Sequence, residues 1–137
     1  MTCKKTVQRN IAIVAALLLT CLVGCSQNRV QRFGMVVGIK PEMIESYKQL
    51  HADGNAGVRD LLTKYNMHNF SIFLTEIEGK WYEFGYYEYT GNDFEGDMSK
   101  LAEEPRNIEW LKVCDPIQLP LKGEKSWKIM EQVYFNQ

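Results

Sequence analysis

Two runs of alternating side chains joined by a glycine turn restrict this chain to folds built on an antiparallel sheet. In the first run Phe70, Ile72 and Leu74 alternate with Ser71, Phe73 and Thr75. The second, residues 81–89 (WYEFGYYEY), is an aromatic strand pattern. Glu78-Gly79-Lys80 lies between them, so the two runs are expected to pair as a hairpin. A third alternating run, residues 33–39, places Phe33, Met35, Val37 and Ile39 on one face and Gly34, Val36 and Gly38 on the other.

Helical patterns separate these strands. Pro41 suits the first turn of a helix that buries Ile44, Tyr47 and Leu50 or His51. That helix should fail at Asp53-Gly54-Asn55-Ala56-Gly57, and Val58, Leu61, Leu62 and Tyr65 restore a helical stripe. After the hairpin, Asp93 is a good N-cap for a helix over 94–103; Pro105 interrupts it, and Ile108, Trp110, Leu111 and Val113 continue until Asp115-Pro116. Residues 118–126 read as a polar segment and 127–135 as a last strand. The order is strand, broken helix, strand, strand, broken helix, strand. It matches an α+β, ferredoxin-like split βαβ plan, a four-stranded antiparallel sheet with helices on one face. The open face would expose more aromatic surface than a small monomer usually shows, so two sheets packed as a dimeric α+β barrel, a homodimer, are expected.

The N-terminus reads as an export signal. Lys4, Lys5 and Arg9 precede an apolar run from residue 11 to 19, too short to span a bilayer with ordinary flanks. Leu22-Val23-Gly24-Cys25 then resembles the bacterial lipobox, in which the cysteine is acylated and becomes the new N-terminus. The alternatives are an ordinary signal with a chance cysteine, or a retained anchor. The expected organisation is a signal peptide (1–24), a tether (25–31) and one folded domain (32–137). The mature protein would be lipid-anchored to a membrane in the cell envelope, on the periplasmic or surface side, without crossing the membrane. The signal carries three of the sixteen basic residues and none of the seventeen acidic ones. The remaining domain is acidic, which argues against a nucleic-acid partner. Cys3 and Cys21 leave with the signal and Cys25 carries lipid, so Cys114 is left alone, a buried small residue before it is a nucleophile.

The candidates for chemistry are few. Tyr47 and His51, four residues apart, share a helix face and present a hydroxyl beside an imidazole. His68 precedes the second strand, where an exposed or capping role is the default. Each histidine can also be read as a satisfied structural residue. Trp110 reads as core or as a platform for the C–H face of a sugar ring, and Asp115 as a hydroxyl ligand or a turn residue. The pattern contains no metal-ligand spacing, nucleophile elbow, phosphate loop or dinucleotide fingerprint.

Several spaced motifs together resemble the L-rhamnose mutarotase family over nearly all of residues 32–135. They are Tyr47-x-x-x-His51; His68-Asn69-Phe70-Ser71-Ile72; Glu88-Tyr89-Thr90-Gly91-Asn92-Asp93-Phe94-Glu95; Glu104-Pro105 through Trp110; Asp115-Pro116; and Trp127 with Met130-Glu131-x-Val133. The resemblance implies cofactor-independent interconversion of the α and β anomers of a deoxyhexose such as L-rhamnose, on a dimeric ferredoxin-like fold. It assigns His51 as acid/base, Tyr47 as a hydrogen-bond partner of the sugar and Trp110 as its stacking surface, with Phe70 on the strand that contacts substrate. The chain departs from the pattern at three places. Asn55-Ala56-Gly57 stands where the family has Trp-Pro-Glu, Phe70 replaces a tyrosine, and Trp110-Leu111 replaces a Trp-Trp pair. These departures favour a second reading, a non-catalytic sugar-binding or accessory lipoprotein on the same fold; a third, which the tyrosines and tryptophans permit but no residue demands, is a dimeric α+β barrel of the monooxygenase type with an aromatic cavity for an organic ligand.

Overall fold

The computed structural model of the chain describes residues 30–136. The expected signal peptide, the expected acylation site at Cys25 and most of the expected tether lie outside the described residues. β1 (Gln31–Ile39) leads through a 3-10 turn (Pro41–Met43) into α1 (Ile44–Leu50). A bend follows, then α2 (Arg59–Lys64), β2 (Met67–Ile77) and β3 (Lys80–Tyr89). α3 (Phe94–Glu103) and α4 (Pro105–Cys114) run one after the other, and a 3-10 turn (Asp115–Ile117) leads to β4 (Gln118–Leu119) and finally β5 (Lys128–Met130).

The hairpin expected from the alternating runs is present. Ile77 pairs with Lys80, and both residues between them, Glu78 and Gly79, take positive φ (50° and 75°), the backbone that a two-residue turn between right-twisting strands needs. β3 is the middle of the sheet, with β2 on one side and β1 on the other, all antiparallel. β1 carries two short strands on its free edge, β4 against Gly38 and Ile39 and β5 against Gly34 to Val36. Four strand positions are thus filled by five strands, and the architecture is the α+β plan read from the sequence.

The element boundaries differ at the C-terminal end. The alternating pattern over 127–135 predicts a long last strand, but regular pairing covers only Lys128–Met130, while residues 118–119, read as part of a polar loop, form β4. Val133 and Tyr134 are exposed, and Phe135 lies against the Arg32 guanidinium, 3.7 Å from its ring centre. Alternation alone does not hold a strand where its apolar side chains find no surface to cover. Gln31, read as the end of the tether, opens β1.

The helices cover one face of the sheet. Met35, Met67 and Tyr87 pack with Val58 and Leu61 around α2 and with Leu101 of α3; Ile39 packs with Ile44, Tyr47 and Ile117. Asp93 caps α3 as expected, its Oδ1 accepting from the Gly96 amide at 3.0 Å. Pro105 stands at the first position of α4, so the proline that stops one helix starts the next. On the opposite face Phe73, Phe84 and Val36 lie in one cross-strand row, and Phe73 is 64% exposed. Among the described residues no helix is long and apolar enough to cross a membrane.

Candidate functional site

Between the helical layer and the inner face of the sheet lies a cavity of about 580 Å³ whose lining includes Tyr47, His51, Phe70, Tyr87 and Trp110. The four residues singled out from the sequence, Tyr47, His51, Phe70 and Trp110, therefore meet at one place. Each arrives there for a different structural reason.

Tyr47 faces inward from α1 and is buried, while His51 stands one turn on, at the C-cap, where the helix ends. The two rings overlap with centroids 4.1 Å apart. His51 Nδ1 lies 2.9 Å from the Tyr47 carbonyl oxygen. A carbonyl only accepts, so Nδ1 carries the proton and donates it there, which leaves Nε2 unprotonated in the neutral ring. Burial holds the His51 pKa below its ordinary value; the bond to the Tyr47 carbonyl raises it and the Arg59 charge lowers it further. The net direction keeps the imidazole neutral at pH 7, a base with a free lone pair.

The bend after α1 seats Trp110. Arg59 donates to the His51 carbonyl at 2.7 Å and reaches Asp53 at 3.4 Å, and the Gly57 amide donates to Asn55 Oδ1 at 3.2 Å. Gly57 has φ +53°, and a Cβ there would sit 3.2 Å from Cη2 of Trp110. The glycine serves both the left-handed backbone and the close approach of the indole. Trp110 meets the His51 ring edge-on, with centroids 5.2 Å apart and planes at 75°. Two of the departures from the family pattern thus fit together, since the segment without Trp-Pro-Glu provides the gap that the single tryptophan fills.

Phe70 reaches the cavity through a β-bulge. His68 pairs with Glu88 and Ser71 with Tyr86, so Asn69 and Phe70 together stand opposite Tyr87, with Asn69 at φ +53°. The extra residue turns Phe70 to the helix side, where its ring stacks on Tyr87 with centroids 5.5 Å apart and planes within 2°. His68, on the other side of the bulge, keeps the outer parity opposite Glu88 and does not line the cavity. Cys114 lines the cavity but is buried, and burial, Asp115 and Glu83 push its thiol pKa up to about 11, which leaves it a poor nucleophile at neutral pH. Among the described residues no group of three or more His, Cys, Asp and Glu gathers where a metal ion could be held.

Sequence reasoning missed one residue of this region, Glu83. It lies on the inner face of β3, fully buried, and its Oε2 accepts from Gln118 Nε2 at 3.1 Å. Burial pushes its pKa up to about 7, against the lowering effect of Tyr47 and Gln118. The signal was present in the sequence: Glu83 has the same strand parity as the buried Tyr87 and Tyr89, a carboxylate in phase with the core.

A family model for L-rhamnose mutarotase matches residues 32–135. The chain is 29% identical to an L-rhamnose mutarotase of Lactiplantibacillus plantarum over 86 residues, which cover 63% of this chain and 78% of that one. It is 30% identical to an L-rhamnose mutarotase of Oceanobacillus iheyensis over 87 residues, 64% of this chain and 79% of that one.

Proposed function

Since the chain belongs to the L-rhamnose mutarotase family, isomerases that act on carbohydrates, we propose that its cavity interconverts the α and β anomers of L-rhamnose or a related deoxyhexose by acid/base ring opening. The observation that carries this reading is the neutral, tautomer-fixed His51 between Tyr47 and Trp110 at the cavity wall. The reaction is proton traffic between two oxygens of a hemiacetal. His51 Nε2 takes the proton of the anomeric hydroxyl while the bond from the anomeric carbon to the ring oxygen breaks, its electron pair going to the ring oxygen, which takes up a proton. The open aldehyde rotates, and closure on its other face returns the proton. Trp110 offers the apolar face of the pyranose a flat surface, Tyr47 offers a hydroxyl, and Phe70 with Tyr87 forms an apolar wall. A well-placed proton relay is worth roughly 10²- to 10⁴-fold in rate, which matters for a reaction that proceeds slowly in water.

Two features complete the proposal. The outer row of Phe73, Phe84 and Val36, in which Phe73 is exposed, suits the sheet of a second copy, giving a homodimer. Acylation at Cys25 would hold the dimer at a membrane surface in the cell envelope, so that it meets sugar arriving from outside. The test of the activity is saturation-transfer NMR between the anomers of L-rhamnose and a panel of 6-deoxyhexoses. Exchange should exceed the buffer rate and return to it in His51→Ala with the fold intact. A wild-type rate equal to buffer for the whole panel refutes the proposal.

A further inference from the structure

Glu83 is out of place in a hydrophobic core unless it is used. It is fully buried on the inner face of β3, with Val37 beside it on β1 and Leu74 on β2. Oε2 has the Gln118 amide as partner, Oε1 has no hydrogen-bond partner, and no cation pairs with the carboxylate among the described residues. An apolar side chain would fit between Val37 and Leu74 without the desolvation cost of a half-satisfied carboxyl. The titratable groups that face it are Tyr47 from α1 and Cys114 from α4, with the neutral Gln118 from β4. Only Tyr47 both lies against Glu83 and stands in contact with the His51 ring at the cavity wall; burial and then Glu83 hold its hydroxyl well above the ordinary tyrosine range, so it can pass a proton on only as it receives one.

Ring opening needs an acid as well as a base, and His51 supplies one of these at a time. With Nδ1–H committed to the Tyr47 carbonyl and Nε2 bare, the neutral imidazole has no proton for the ring oxygen. We propose that Glu83 is a positioning residue for the isomerisation read above, holding the proton that replaces the one Tyr47 gives to the sugar ring oxygen. The transfers balance. His51 Nε2 takes the anomeric hydroxyl proton as that oxygen becomes the carbonyl. The bond from the anomeric carbon to the ring oxygen breaks with its electron pair going to the ring oxygen, which takes the Tyr47 hydroxyl proton. The tyrosine oxygen is refilled from the Glu83 carboxyl. The open-chain state then faces an imidazolium and a carboxylate, and closure on the other face of the aldehyde runs the same transfers backwards.

This inference rests on the isomerase reading and is tested so that the two fail differently. Full-length protein in detergent micelles, as wild type and as Glu83→Gln, is assayed for L-rhamnose anomer exchange from pH 5 to 9. The Tyr47 ring carbon shift is followed over the same range in wild-type protein labelled at tyrosine. The wild-type rate should rise as His51 loses its proton, and fall above about pH 7 as Glu83 loses its own. Glu83→Gln should slow exchange at pH 6 by about tenfold to a hundredfold and abolish the alkaline fall. The Tyr47 shift should report a midpoint near 7 in the wild type, a readout that needs no variant to fold. A wild-type rate above buffer, with an unchanged rate and pH profile in Glu83→Gln, overturns this inference and leaves the isomerase reading standing. A Tyr47 shift that is flat through neutrality overturns it too, and a wild-type rate equal to buffer removes both.

Discussion

Replacing Glu83 by glutamine should stabilise the protein, and by an amount that depends on pH. The carboxyl is fully buried, and its pKa stands at about 7 in the folded state against an ordinary 4.5. Below pH 4.5 the group is protonated whether the chain is folded or not, and contributes nothing to the pH dependence. Between 4.5 and about 7 the folded state keeps a proton that the unfolded state releases, so stability falls as pH rises. Above 7 the full penalty is present. At about 1.4 kcal/mol per tenfold change, that interval corresponds to about 3 kcal/mol. Glutamine keeps the size of the side chain and can still accept from Gln118, but it does not titrate. The difference in unfolding free energy between Glu83→Gln and wild type should therefore grow by about 3 kcal/mol from pH 4.5 to pH 8. With a urea dependence of roughly 1–3 kcal/mol per molar, the gap between the two midpoints should widen by about 1–3 M. His51, Asp97 and Glu104 also have displaced pKa values, but they are present in both proteins and cancel in the difference. A gap that stays constant from pH 4.5 to 8, or that narrows, would refute the account of Glu83 as a buried carboxyl held neutral. A residue kept for stability should not behave this way, whereas a proton store should.

Three further outcomes are expected. Gly57→Ala puts a side chain at φ +53°, costing roughly 1–2 kcal/mol, and pushes a Cβ against Trp110, so KM for sugar should rise and the melting temperature fall, as steady-state anomer exchange and calorimetry would show. Phe73→Glu on the open sheet face should convert a homodimer to monomer at micromolar concentration in light-scattering chromatography, with the circular dichroism spectrum unchanged; a dimer that persists would count against packing through that face. Cys25→Ala should move the protein from the membrane fraction to the soluble fraction when expressed in a bacterium with lipoprotein processing, since the acyl chains are its proposed attachment.

Much of the fold was legible because its signals are local. The hairpin follows from alternation and from the glycine turn at Gly79. The breaks in both helical segments follow from Gly54 to Gly57 and from Pro105, and the Tyr47–His51 pair from a four-residue spacing that any helix stacks on one face. What fails at this range is whatever depends on a surface contributed by distant chain. The last strand, expected over nine residues, shortens to Lys128–Met130 because its later apolar side chains have nothing to lie on within one copy.

The sequence by itself determined the order of the helices and of the three long strands, and the spacing that puts Tyr47 and His51 on one helix face, because each is set by neighbours a few residues away. Only the tertiary structure decided that a bulge at Asn69 turns Phe70 inward, that Trp110 closes on His51 across the gap left by Gly57, and that Glu83 is buried with its carboxyl on the Gln118 amide. Register, backbone handedness and burial are properties of contacts between segments, and a carboxylate acquires a pKa near 7 only when folding takes away its water.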